Sequence, residues 1–171
     1  MEIERKFLLS KLPDDIKSLP ATFIEQGYLN TDKERTTRIR VTSANEAFLT
    51  VKGATHGITR VEVETPIDPI KARDMLALCE ASIVSKWRRI VEHEGHIWEV
   101  DVFTGDNEGL VIAEIELSSE AETFALPSWV GAEVSHDRDY GNSALAFKPF
   151  KTWVQPVLDV LKPTRLNTLG L

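Results

Sequence analysis

Apolar and polar residues alternate along most of the first 118 positions of this chain, and period two is the mark of a strand whose faces look in opposite directions. The alternation predicts eight strands, over 2–9, 23–29, 36–41, 47–52, 59–65, 85–93, 96–104 and 110–118, parted by polar or Gly/Pro-containing loops. Strands 85–93 and 96–104 read as a hairpin turning at Glu94-Gly95. Between the fifth and sixth strands, Asp68 as N-cap and Pro69 at the first helical position open a helix predicted over 69–80, with Ile70, Met75, Leu76 and Cys79 near helical spacing. Past 118 the pattern becomes helical: a short helix over 119–124 with acidic residues in its first turn, another over 139–147 and a third over 153–162. No repeat or linker divides the chain, so one domain of 1–171 is expected, with barrel strands over 2–118 and a helical segment over 119–171. Exterior packing is the first expectation for the late helices, and plugging of a barrel mouth the second. Trp153, Val154, Val157, Leu158 and Leu161 form an apolar stripe suited to packing or to a homodimer contact.

The polar parity of these strands is unusual because it is almost wholly ionisable. Glu2, Glu4 and Lys6 share a face; so do Arg38 and Arg40, then Thr50 and Lys52, then Arg60, Glu62 and Glu64. Lys86 and Arg88 flank Trp87, Glu99 and Asp101 flank Val100, and Glu114 and Glu116 flank Ile115. A solvated face would mix these charges with neutral polar residues. A mainly antiparallel α+β fold, closed into an eight-stranded β-barrel with helices packed outside, accounts for the pattern better. Its apolar parity faces outward under covering segments and its charged parity lines a lumen wide enough for a small ligand. Clustered carboxylates call for a hard cation, and clustered Arg and Lys call for an anion whose oxygens match the guanidinium fork. A metal-complexed polyphosphate satisfies both.

Composition narrows the setting. Asp and Glu (27) outnumber Lys and Arg (20), giving a net charge of -7, which argues against a nucleic-acid partner. No apolar run is long enough to span a membrane, and a cytoplasmic location with no membrane partner is expected. The single cysteine, Cys79, excludes an internal disulfide and reads as a core position, while the four histidines at 56, 93, 96 and 136 lack metal-ligand spacing.

Glu2-Ile-Glu4-Arg-Lys6, followed in order by Arg38/Arg40, Thr50-Val-Lys52, Arg60-Val-Glu62-Val-Glu64, Lys86-Trp-Arg88, Glu99-Val-Asp101 and Glu114-Ile-Glu116, resembles the ExExK signature and its companions in the CYTH superfamily, the triphosphate tunnel metalloenzymes. The segments 129–137 and 140–145 look like the short bacterial members. The resemblance implies an eight-stranded tunnel, dependence on Mg²⁺ or Mn²⁺ and a small-molecule triphosphate substrate. It implies Glu2, Glu4, Glu114 and Glu116 as metal ligands, with Glu62, Glu64 and Asp101 as further acidic positions of the metal site and Glu99 as another. Lys6, Arg38, Arg40, Lys52, Arg60, Lys86 and Arg88 would grip phosphate oxygens. Lys86, ringed by cations, should hold its proton loosely, and with Tyr28, which shares the parity of Gln26, it could relay a proton from water. The resemblance points to hydrolysis of tripolyphosphate to pyrophosphate and phosphate. A class IV-like adenylate cyclase, a thiamine or nucleoside triphosphatase and a non-catalytic polyphosphate-binding module are the alternatives.

Overall fold

A computed structural model of the chain describes residues 1–30, 32 and 34–153. The strands are β1 (Glu2–Leu9), β2 (Ala21–Tyr28), β3 (Arg35–Thr42), β4 (Ala47–Gly53), β5 (Thr59–Arg60), β6 (Glu62–Pro66), β7 (Glu80–His93), β8 (His96–Phe103), β9 (Val111–Glu116) and β10 (Val130–Glu133). The helices are α1 (Pro69–Leu76) and α2 (Asn142–Phe147). Every strand pair is antiparallel, and the hydrogen-bonded order runs β1-β9-β8-β7-β2-β3-β4-β6.

Closure is the work of the segment predicted as one strand over 59–65. It is split: β6 pairs with β4, placing Val63 opposite Val51, whereas β5 pairs with β1, placing Arg60 opposite Glu2. The Val61 carbonyl between them accepts from the Gly53 amide, so β5 and β6 form one continuous stave that joins β4 to β1. Counted this way, eight staves close the wall and leave it few free edges. β10, which no alternation announced, adds to β1 beyond β5, with Phe7 opposite Glu133. The β7–β8 turn falls where expected: Glu94 (φ 45°) and Gly95 (φ 80°) both lie in the left-handed region, as a two-residue turn of type I′ requires.

The apolar parity packs outward under covering segments. Phe7, Trp98, Val100, Ala113 and Ile115 are buried beneath Ile16, Phe124 and Trp129, while Ile39, Val41 and Ala47 lie under Ala72 of α1. The Asp68 carboxylate accepts from the Ile70 and Lys71 amides as the expected N-cap. α1 stops at Leu76, short of the predicted 80; Cys79 follows the helix, half-buried, with its Sγ close upon Gly27. The predicted helix over 119–124 is absent: the Glu122 carboxylate folds back onto the Ser118 amide and hydroxyl, making a tight turn. The predicted helix over 139–147 is a 3₁₀ turn (Arg138–Tyr140) followed by α2. α2 does not pack on the exterior: its Leu145 and Ala146 meet the inward-facing Tyr28, Val84, Phe103 and Ile112, with Tyr140, Phe150 and Trp153 alongside. It stops one end of the barrel with an apolar plug. The helix predicted over 153–162, with most of its apolar stripe, lies outside the described residues.

Candidate active site

Because the inward parity of each stave is charged, closing the barrel brings those charges together around a cavity of about 730 Å³. It is lined by Glu2, Glu4, Lys6, Tyr28, Arg38, Arg40, Lys52, Arg60, Glu62, Glu64, Arg88, Glu99, Glu114 and Glu116. Gly141, Asn142 and Ser143 of the plug form part of its wall. A volume of this size suits a small ligand.

The charges are interleaved by register. Strand β1 lies against β9 with Lys6 opposite Glu114 and Glu4 opposite Glu116. The Lys6 ammonium pairs with Glu4 and, at 2.5 Å, with Glu114. Lys52 bridges Glu2 at 2.8 Å and Glu62 at 2.5 Å, and Arg60 Nε adds a 2.9 Å contact to Glu2. Arg38 and the Thr50 hydroxyl both donate to Glu64, at 3.2 and 2.8 Å. Arg88 donates twice to Asp101, each at 2.7 Å, and reaches Glu114 at 3.1 Å as well as Glu99. Burial alone would raise the Glu114 carboxylate; Lys6, Lys86 and Arg88 outweigh it and hold that group well below the usual carboxylate range.

Two of the expected site residues lie behind this lining. Lys86 and Asp101 are both fully buried and pair at 2.5 Å, and the Lys86 ammonium also donates to Asn142 Oδ1 at 3.1 Å. Asp101, expected among the acidic positions of the metal site, has both oxygens engaged by Lys86 and Arg88 and in this structure anchors those two cations. The proton of Lys86 is loosened to about 8, as anticipated, but the main cause is burial; Asp101 opposes it, and Arg88 and Arg40 reinforce it. The expected Lys86–Tyr28 pair does not form. Lys86 goes to Asp101 and Asn142, whereas the Tyr28 hydroxyl takes a hydrogen bond from Gln26.

Arg40 stands apart. Among the described residues it has no carboxylate partner and is held by two 3.2 Å bonds to Gln26 Oε1. Burial first, then Arg38 and Arg88, push its guanidinium down to about 10. The adjacent Arg38 Nε is buried without an acceptor. A guanidinium without a carboxylate partner, beside a second one with a buried donor left over, is a receptor for an anion, and multiply charged phosphate oxygens fit those donors. At the other end Glu116 has no cation partner among the described residues, and desolvation together with Glu2, Glu62 and Glu4 raises its carboxyl. Among the described residues no three acidic, His or Cys side chains are drawn together closely enough to hold a metal ion as they stand, since Lys6, Lys52 and Arg60 occupy the carboxylates. The donor chemistry nonetheless fits a hard divalent cation: Glu2, Glu4, Glu62 and Glu116 are oxygen donors whose mutual repulsion such an ion would relieve.

A family model described as the CYTH domain matches residues 1–146. The chain belongs to the CYTH family. Two curated relatives carry the name inorganic triphosphatase. One, from Acetivibrio thermocellus, is 45% identical over 154 residues, covering 89% of this chain and 97% of its own. The other, from Nitrosomonas europaea, is 36% identical over 148 residues, covering 85% and 96%. The crystal structure of the inorganic triphosphatase NE1496 superimposes with a TM-score of 0.63 at 36% identity, covering 85% of this chain and 94% of that one. A Pyrococcus horikoshii protein at 20% identity (TM-score 0.54, 70% and 80% covered) shares the fold. For this CYTH chain the alternation located the lining residues but passed over Gln26, Thr50 and Asn142 as site members. The first two have the inward parity of Tyr28 and Lys52; nothing local marks Asn142, which arrives with the plug.

Proposed function

We propose that this chain hydrolyses inorganic triphosphate to pyrophosphate and phosphate inside its tunnel, with a divalent metal, Mg²⁺ or Mn²⁺, as cofactor. The observation that carries the reading is the two-signed tunnel, in which Arg40 has no carboxylate partner and Arg38 Nε no acceptor among the described residues at one side, and Glu116 lacks a cation at the other. The names of the two curated relatives support it.

Phosphoryl transfer needs alignment and charge neutralisation more than covalent help. Arg38, Arg40 and Arg88 bind and orient phosphate oxygens, and Lys6, Lys52 and Arg60 exchange their present carboxylate partners for further ones. Glu2, Glu4, Glu114 and Glu116, with Glu62 and Glu64 nearby, would hold the metal. When bound, a divalent cation supplies neutralisation of phosphate charge and polarisation of water. Lys86, whose proton is held loosely at about 8, is assigned the proton of the attacking water; it sits behind the lining, so that proton reaches it beside Asn142, which borders the cavity and with Asp101 holds the amine in place.

The test is incubation with Mg²⁺ or Mn²⁺ and, separately, tripolyphosphate, ATP and thiamine triphosphate, with assay of orthophosphate, pyrophosphate and cyclic AMP. Turnover of tripolyphosphate well above the others is the expected result. Cyclic AMP from ATP would replace the reading with a cyclase, and tight binding without turnover would replace it with a binding module.

A further inference from the structure

Gln26 is wholly buried and connects two lining residues. Its Oε1 accepts from Arg40 Nε and Nη2, both at 3.2 Å, and its Nε2 lies 3.1 Å from the Tyr28 hydroxyl. A guanidinium has only donors, so the amide can present nothing but oxygen to Arg40. The amide nitrogen therefore faces Tyr28, and an amide nitrogen only donates. The Tyr28 oxygen is thus an acceptor, and its own hydrogen must point elsewhere. Among the described residues nothing accepts it, and Tyr28 borders the tunnel cavity beside Arg38 and Arg40.

We propose that Gln26 is a positioning residue that fixes the Tyr28 hydroxyl as a hydrogen-bond donor into the tunnel, toward a non-bridging phosphate oxygen of the substrate. This rests on the reading that a triphosphate occupies the tunnel. The polarity runs one way, from Arg40 to Gln26 to Tyr28 to phosphate, and it makes Tyr28 a substrate-binding donor that accepts no proton from water. Burial, which outweighs the nearby arginines, raises the Tyr28 phenol above its ordinary value and keeps the donated hydrogen in place.

The test is a double-mutant cycle read by calorimetric binding of tripolyphosphate and by kcat and KM. Tyr28→Phe should weaken binding about 10- to 100-fold, the loss of one hydrogen bond to a charged acceptor. The carboxylate in Gln26→Glu accepts from both Arg40 and Tyr28, turning the hydroxyl away from the tunnel. In that background Tyr28→Phe should cost nothing further, even though the added negative charge itself weakens binding. An equal cost of Tyr28→Phe in both backgrounds, or no cost in the wild type, would overturn the proposal. A second measurement needs no Gln26 variant. The chain has two tyrosines, so the ultraviolet titration of wild type minus that of Tyr28→Phe isolates Tyr28. Bound tripolyphosphate should move its ionisation to higher pH, and movement to lower pH would overturn the donor role. Failure of the wild type to bind or cleave tripolyphosphate would remove the functional reading and this inference with it. Normal wild-type binding with no loss in Tyr28→Phe would remove this inference alone.

Discussion

Glu116 faces Glu4 directly across β1 and β9, and like charges so placed repel. Its carboxyl is raised by desolvation and by Glu2, Glu62 and Glu4, so without metal the charged residue costs stability. Glu116→Gln should therefore raise the melting temperature of the metal-free protein while lowering activity at least tenfold at limiting metal; a lower melting temperature would show that Glu116 is paired. Lys86 allows a second test at this scale. Its folded-state value is depressed to about 8, so the amine loses its proton as pH rises through 8. If it takes a proton from water, wild-type kcat rises through that pH, and Lys86→Arg, which keeps the charge but cannot titrate in this range, should lose about 100-fold or more with little change in KM. Activity that falls above pH 8 in the wild type and survives in Lys86→Arg would make Lys86 a fixed positive charge instead.

Strand β7 shows how a local conformation places an element. Ala81 has φ 60°, near where the β2–β7 register shifts between Gln26 and Tyr28. For an L-residue the left-handed region costs roughly 1–2 kcal/mol, and glycine escapes much of that cost. Ala81→Gly should then stabilise the fold by up to about 1 kcal/mol by chemical denaturation, less what glycine's extra freedom takes back in the unfolded chain. Destabilisation would mean that the Ala81 methyl packs usefully. The shift matters because it sets Gly27 against Cys79 and Ile83, where a Cβ would approach the Cys79 Sγ to 2.7 Å. It also lies between the two residues, Gln26 and Tyr28, whose mutual bond orients the site. Neither Ala81 nor Gly27 carries a sequence signal for this, since strand alternation records faces and not irregularities in pairing.

At the scale of the molecule, two carboxylates beyond the central charge cluster tie separate segments of the chain together. The Arg5 guanidinium holds Glu133 down to about 2 across β1 and β10, and the Ser118 hydroxyl and amide, with His96, hold Glu122 at about 2. Depressed carboxylates contribute stability that is complete above the unfolded value near 4.5 and is lost as pH falls toward 2. Urea midpoints should accordingly drop across that window, and Glu133→Gln should flatten part of the drop; equal slopes in the two proteins would show that the Arg5 pair contributes nothing. The sequence by itself determined most of the strands, though not β10 or the split between β5 and β6, together with their two faces, the charged composition of one of them and the turn at Glu94-Gly95, because period two and turn chemistry are local. Only the tertiary structure decided which charge meets which. Lys52 lies between Glu2 and Glu62 because a split stave closes the wall. Lys86 and Asp101 share the charged parity of Arg88 and Glu99, yet they are withdrawn from the cavity because they neutralise each other at the plugged end. Parity assigns a side chain to a face; register, closure and the seating of α2 assign it a partner, and those arise from contacts between segments far apart in the chain.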